Sequence, residues 1–99
     1  MVKIDNNKCL LCPDCDNPYL HQESVEMFWR DREDSERGTY VQSSWGNPPI
    51  VDKNSEMNQN PSGRRDGLRI KFSCENCGRE DISLTLSQHK GWTLMEWEK

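Results

Sequence analysis

Polar and apolar positions alternate most regularly in the last third of the chain. Leu68, Ile70 and Phe72 alternate with Arg69, Lys71 and Ser73, and Ile82, Leu84 and Leu86 alternate with Ser83, Thr85 and Ser87. A period of two puts one apolar and one polar face on each run, which predicts half-buried strands. Gln88-His89-Lys90-Gly91 predicts a tight turn with Gly91 at positive φ, and Trp92 to Trp97 the returning strand. Nearer the N-terminus, Tyr19 to Trp29 is rich in β-favouring residues, with Val25, Met27 and Trp29 on one face and Glu26 and Phe28 on the other. Arg30 to Gly38 holds four acids and three bases without periodicity and predicts a solvated hairpin connection, after which Thr39-Tyr40-Val41 begins a short return strand. Residues 43–67 carry Pro48, Pro49 and Pro61 among glycines and asparagines, which predicts a long mobile loop. No helix of normal length is expected. The fold class is therefore a small, mostly-β antiparallel sheet with a long Pro/Gly/Asn-rich loop.

Composition changes this picture by raising a stability problem. Of 99 residues, only 32% are hydrophobic, and the mean hydropathy is −1.03. One small domain over 1–99 with so few apolar residues buries too little surface to be secure, and small scaffolds commonly add disulfides or a metal. No apolar run is long enough to span a bilayer, and Met1 to Asn7 has no signal-peptide core. The expected setting is the cytoplasm, where reduced thiols favour metal over disulfide.

The five cysteines fall into two clusters separated by 58 residues: Cys9-Leu10-Leu11-Cys12-Pro13-Asp14-Cys15 and Cys74-Glu75-Asn76-Cys77-Gly78. A Cys-x-x-Cys turn presents two sulfurs to one ion, and two such turns complete a tetrahedron. Cys12, Cys15, Cys74 and Cys77 are thus the candidate ligands of one structural zinc ion. Pro13 presets φ inside the first turn, while Gly78 and Asp16 stand where each turn needs a left-handed exit. Cys9 with Cys12 is the competing pair; otherwise Cys9 is a half-buried free thiol. Tetrahedral sulfur would also accept iron. Four thiolates close the coordination shell, so catalytic zinc is not expected.

These two turns resemble the knuckles of a zinc ribbon, the departure being Asp16 where glycine is usual. Over most of the chain, Leu11 to Cys15, Tyr19-Leu20-His21-Gln22, Gly63 to Ile70 and Gln88 to Gly91 resemble small zinc-ribbon proteins of bacteria and their phages. That resemblance implies the fold and the ion, and no particular activity.

Nothing points to catalysis. His21, in an expected strand, and His89, in an expected turn, have no nucleophile motif beside them, and no phosphate-binding loop is present. Two binding roles compete. The net charge of −4 and four tryptophans fit a module for a protein partner, with Trp45 the best candidate for an exposed contact. The alternative is a single-strand nucleic-acid module using Arg64, Arg65, Arg69 and Lys71, with Tyr40, Trp45 and Trp92 as stacking faces. In that alternative Arg69 and Lys71 must be more than the polar side of a strand. No small-molecule substrate is evident.

Overall fold

The computed structural model describes residues 1–98. Six strands follow in chain order: β1 Leu20–Arg30, β2 Arg37–Ser44, β3 Ile50–Glu56, β4 Gly67–Cys74, β5 Ile82–His89 and β6 Trp92–Glu98. They form one antiparallel sheet in the order β3-β2-β1-β4-β5-β6. Among the described residues, no helix is long and apolar enough to cross a membrane.

The C-terminal meander forms as the alternation predicts. Its last turn is a two-residue hairpin in which both Lys90 (φ 50°) and Gly91 (φ 82°) take the left-handed conformation. That backbone twist matches the twist of the flanking strands.

The N-terminal half is larger than the two strands expected. Within residues 43–67, expected as loop, Ile50–Glu56 is a strand paired to β2. It escapes detection because it has only two apolar residues, both at its start, and most of its length is solvent-exposed. An edge strand of this kind is held by its ladder on one side, and its charges Asp52, Lys53 and Glu56 discourage pairing on the other. Pro48 and Pro49 precede it, where no ladder donor is required.

The two halves also share more than a metal site, because β1 and β4 pair directly from Leu20↔Cys74 to Phe28↔Gly67. A bulge between Gln22 and Ser24 interrupts this ladder. The Leu20↔Cys74 pairing places the start of β1 at the second cysteine cluster.

Cross-strand register sorts the side chains into rows. One row crosses all six strands and is apolar throughout: Val51, Val41, Met27, Leu68, Leu86 and Met95. The next row on that face is Ser43, Val25, Ile70, Leu84 and Trp97. The opposite face carries Gln42, Glu26, Arg69, Thr85 and Glu96.

Among the described residues, each face is covered at one end. At the metal end, the N-terminal segment packs on the apolar face. Cys12, Phe72, Cys74, Ile82 and Leu84 form a buried cluster there, supported by Val2, Leu10 and Trp97. Trp97 meets Phe72 edge-on at 6.1 Å, and its buried indole N–H has no acceptor among the described residues.

At the far end, the segment after β3 crosses the polar face, where the Arg69 guanidinium donates to the Gln59 carbonyl. Phe28 is 1% exposed there and packs against Tyr40 with ring centroids 5.1 Å apart. Met57 and Ser62 in the crossing segment are buried. Arg30 ties that segment down, its backbone N–H donating to Asp66 and its guanidinium to the carbonyls of Ser35, Ser62 and Arg65.

The alternation expected in β1 is present, but its burial is the reverse of what composition suggests. Glu26 and Phe28 are buried, while Val25, Met27 and Trp29 are 36%, 37% and 57% exposed.

Candidate metal centre

The four cysteines of the two Cys-x-x-Cys turns come together at one end of the sheet. The Cys12 and Cys77 sulfurs are 3.8 Å apart and the Cys15 and Cys74 sulfurs 3.6 Å, and all four lie within 4.8 Å of one another. Both short distances are far longer than a disulfide bond of about 2.05 Å. A tetrahedron with metal–sulfur bonds of about 2.3 Å, the length found for zinc thiolates, has edges of about 3.8 Å. The residues present therefore fit one metal ion with a closed four-sulfur shell.

The two turns repeat each other bond for bond. Asp16 N–H donates to the Cys12 carbonyl and Gly78 N–H to the Cys74 carbonyl, both at 3.0 Å. Cys12 N–H donates to the Asn17 carbonyl at 3.0 Å, and Cys74 N–H to the Arg79 carbonyl at 2.9 Å. The exit residues take the left-handed conformation in both, Asp16 at φ 57° and Gly78 at φ 73°. Asp16 thus fills the place of the usual glycine without changing the geometry.

Backbone amides aim at the sulfurs. The N–H groups of Asp14 and Cys15 face the Cys12 sulfur, and those of Asn76 and Cys77 face the Cys74 sulfur. Such donors favour thiolate and hold the ligand in place. Burial wins at Cys12, pushing its thiol up to about 12, whereas at Cys74 the amide of Cys77 leads in bringing the thiol down to about 7. Cys12 is the most deeply buried of the four, and Cys77 lies at the surface.

Cys9 stands apart from this group. It is exposed rather than half-buried, and its sulfur lies 3.9 Å from the Asn7 carbonyl. The competing Cys9–Cys12 pair is therefore not the one the fold assembles.

One feature of the centre was not visible in the spacing. Arg79 donates to the Asp14 carboxylate at 2.6 Å, joining the two turns across 65 positions of chain. The Asp14 carboxylate holds the Arg79 guanidinium above its ordinary pKa, and the Cys12 and Cys77 thiolates add to that. Only the knowledge that the two knuckles meet makes this pair identifiable. His21 contacts Glu75 at 3.1 Å on the exposed rim and touches no sulfur.

The other candidate residues do not form one patch. Trp45 is 80% exposed as expected, and its indole N–H donates to the Gln22 carbonyl at 3.0 Å. It edges an open groove of about 730 Å³ floored by Ile70, Phe72 and Leu84, with Leu10 and Pro18 at the metal end.

Three residues of the expected basic cluster are paired with carboxylates. Arg64 is held bidentate by Asp34, and Arg65 pairs with Glu33 at 3.0 Å. Arg69 is buried, its side chain 11% exposed, and lies between Glu26 at 3.6 Å and Glu98 at 3.0 Å with its guanidinium over the Phe28 ring. Lys71, on the same face as Arg69 two residues along β4, is half-buried. The acids of the β1–β2 connection, expected to be merely solvated, are the groups that neutralise Arg64 and Arg65. Tyr40 is half-buried and donates to Glu26 at 2.8 Å, while Trp92 is 74% exposed.

No protein-family model, curated protein or solved structure matches this chain. What the fold supports is the cluster of Cys12, Cys15, Cys74 and Cys77 at metal-binding distance.

Proposed function

We propose that this chain is a non-catalytic, cytoplasmic zinc-ribbon module whose single structural zinc, bound by Cys12, Cys15, Cys74 and Cys77, braces a sheet used for protein interaction. The observation that carries the zinc reading is the cluster of four cysteine sulfurs, all within 4.8 Å of one another, two of whose separations are 3.6 and 3.8 Å. A closed shell leaves no position for water or substrate, so the ion contributes stability and no chemistry. Binding to sites of this kind supplies about 10–16 kcal/mol in isolated zinc modules, enough to decide whether a small chain folds. The interaction reading is supported by the row of apolar side chains left open at the far end of the sheet. The alternative, single-strand nucleic-acid binding through residues 64–71, loses support because Arg64, Arg65 and Arg69 already face carboxylates.

Metal analysis of the purified protein tests the zinc reading. The expected result is one zinc and no iron per chain, retained in Cys9→Ser and lost or weakened in Cys12→Ser and Cys74→Ser. Stripping the ion with a chelator should collapse amide signals of the metal-end cluster first. A spectrum unchanged after removal, or iron in the site, would overturn it.

A further inference from the structure

We infer that the open apolar face of the sheet packs against the same face of a second copy of this chain, forming a two-fold dimer with a two-layer β core. The inference deepens the interaction reading above and rests on it.

The first argument is area. A compact monomer of 11.6 kDa exposes about 5,800 Å² of surface. This chain exposes 7114 Å², an excess of about 1,300 Å². A standard interface takes about 800 Å² from each partner, so the excess alone covers what a stable dimer needs. The excess has a structural source. Domains are built from two packed layers, and among the described residues the apolar face of this sheet has no second layer over its far end. The molecule is accordingly a slab of 39 × 34 × 22 Å.

The second argument is the chemistry of the face. The row from Val51 through Met27 to Met95 crosses six strands, about 24 Å at the usual strand spacing. Val51, Met27 and Met95 on it are 56%, 37% and 42% exposed, and Trp29 beside it is 57% exposed. An open hollow of about 370 Å³ lies between Met27, Trp29 and Leu86, with Asp66 and Gln88 also on its lining.

Neither row on this face carries a charged residue, whereas the opposite face holds Glu26, Arg69 and Glu96. The chain as a whole carries −4, which would repel a copy that approached by its charged side. Two copies meeting by the uncharged rows avoid that repulsion, and an isologous contact makes each row its own complement. Stacked sheets of this kind interdigitate at about 10 Å, with strand directions within about 30°.

Sedimentation velocity on the zinc-loaded full chain across a dilution series tests this. The expected result is a species of twice 11.6 kDa that dissociates on dilution. Met27→Lys and, separately, Met95→Lys should weaken it by at least about 100-fold, because each buries a charge in the contact. Ile50→Lys, at a more exposed position paired to Gln42 on the other face, should leave it intact.

A footprint on the unmodified chain guards against misfolded variants. Peroxide should oxidise Met27 and Met95 more slowly as concentration rises, with Met1 unaffected. A wild-type chain that stays monomeric at every concentration, with both methionines freely oxidised, overturns the dimer. So does a dimer that survives both lysine variants. If the chain is monomeric, yet Met27→Lys abolishes co-purification of a different protein from the source cell, the dimer fails while the interaction reading stands.

Discussion

Arg69 is the residue whose role the fold changes most, and removing it gives a sharp test. Its guanidinium donates to Glu98 from two nitrogens at 3.2 and 3.0 Å and to the Gln59 carbonyl at 3.0 Å, and lies 3.6 Å from Glu26. Arg69 and Glu26 side chains are each 11% exposed, whereas Glu98 is 43% exposed. The half-exposed Glu98 contact contributes little, about 0–1 kcal/mol.

The larger consequence of Arg69→Met is the stranding of Glu26. A buried charge that loses its partner costs about 3–5 kcal/mol. The Tyr40 hydroxyl, which still donates to Glu26 at 2.8 Å, should hold the loss near 3 kcal/mol, the low end of that range. Against a total stability of about 5–15 kcal/mol, that is a large fraction.

The double variant Arg69→Met with Glu26→Gln should recover about 2 kcal/mol of it, because no charge remains buried. Urea unfolding followed by tryptophan fluorescence, at a fixed saturating zinc concentration, measures both. A single-variant loss under about 1 kcal/mol, or strictly additive losses in the double variant, would refute the account of Arg69 as a structural countercharge.

Three further outcomes are expected. Tyr40 is pushed up to about 12 by burial and by the Glu26 carboxylate. A folded-state pKa raised above the unfolded value near 10 means that its stabilisation is complete below about pH 10 and disappears as pH rises towards 12. The stability gap between wild type and Tyr40→Phe should therefore narrow over that window in alkaline urea titrations, and a gap constant with pH would contradict this. Gly38→Ala should destabilise by about 1–3 kcal/mol, because a Cβ there would collide with the Trp29 carbonyl in the β1–β2 ladder. Gly63→Ala, which meets nothing, should be near neutral in the same thermal melts. Finally, Arg79→Gln should speed transfer of zinc to a competing chelator several-fold, more at low salt than at high, since it removes the exposed clip between the knuckles. Equal transfer rates in the two proteins would leave the clip without a role.

The metal centre was almost wholly legible in the chain because ligand geometry is local. Pro13, Asp16 and Gly78 shape the turns within a few residues, so spacing and turn chemistry favoured the four cysteines, while the competing Cys9–Cys12 pair was set aside only by the fold. The C-terminal meander was legible for a similar reason: strict alternation in Leu68–Ser73 and Ile82–Ser87 reports one buried face. What depended on distant partners was hidden. β3 has no amphipathic signal, and it exists because β2 offers it a ladder.

The chain by itself thus determined the four clustered cysteines, the β class and the alternation of β1, β4 and β5. The tertiary structure alone decided which face of each strand is covered, and by what. Alternation states that two faces differ, but burial depends on where other segments fall. Here the segment after β3 covers the polar side of the far end, so Glu26, Phe28 and Arg69 are enclosed. The N-terminal segment covers the apolar side only near the metal, so Met27 and Trp29 stay open. A charged residue on a polar face reads as solvent-exposed until a chain segment closes over it, and an apolar one reads as core until none does.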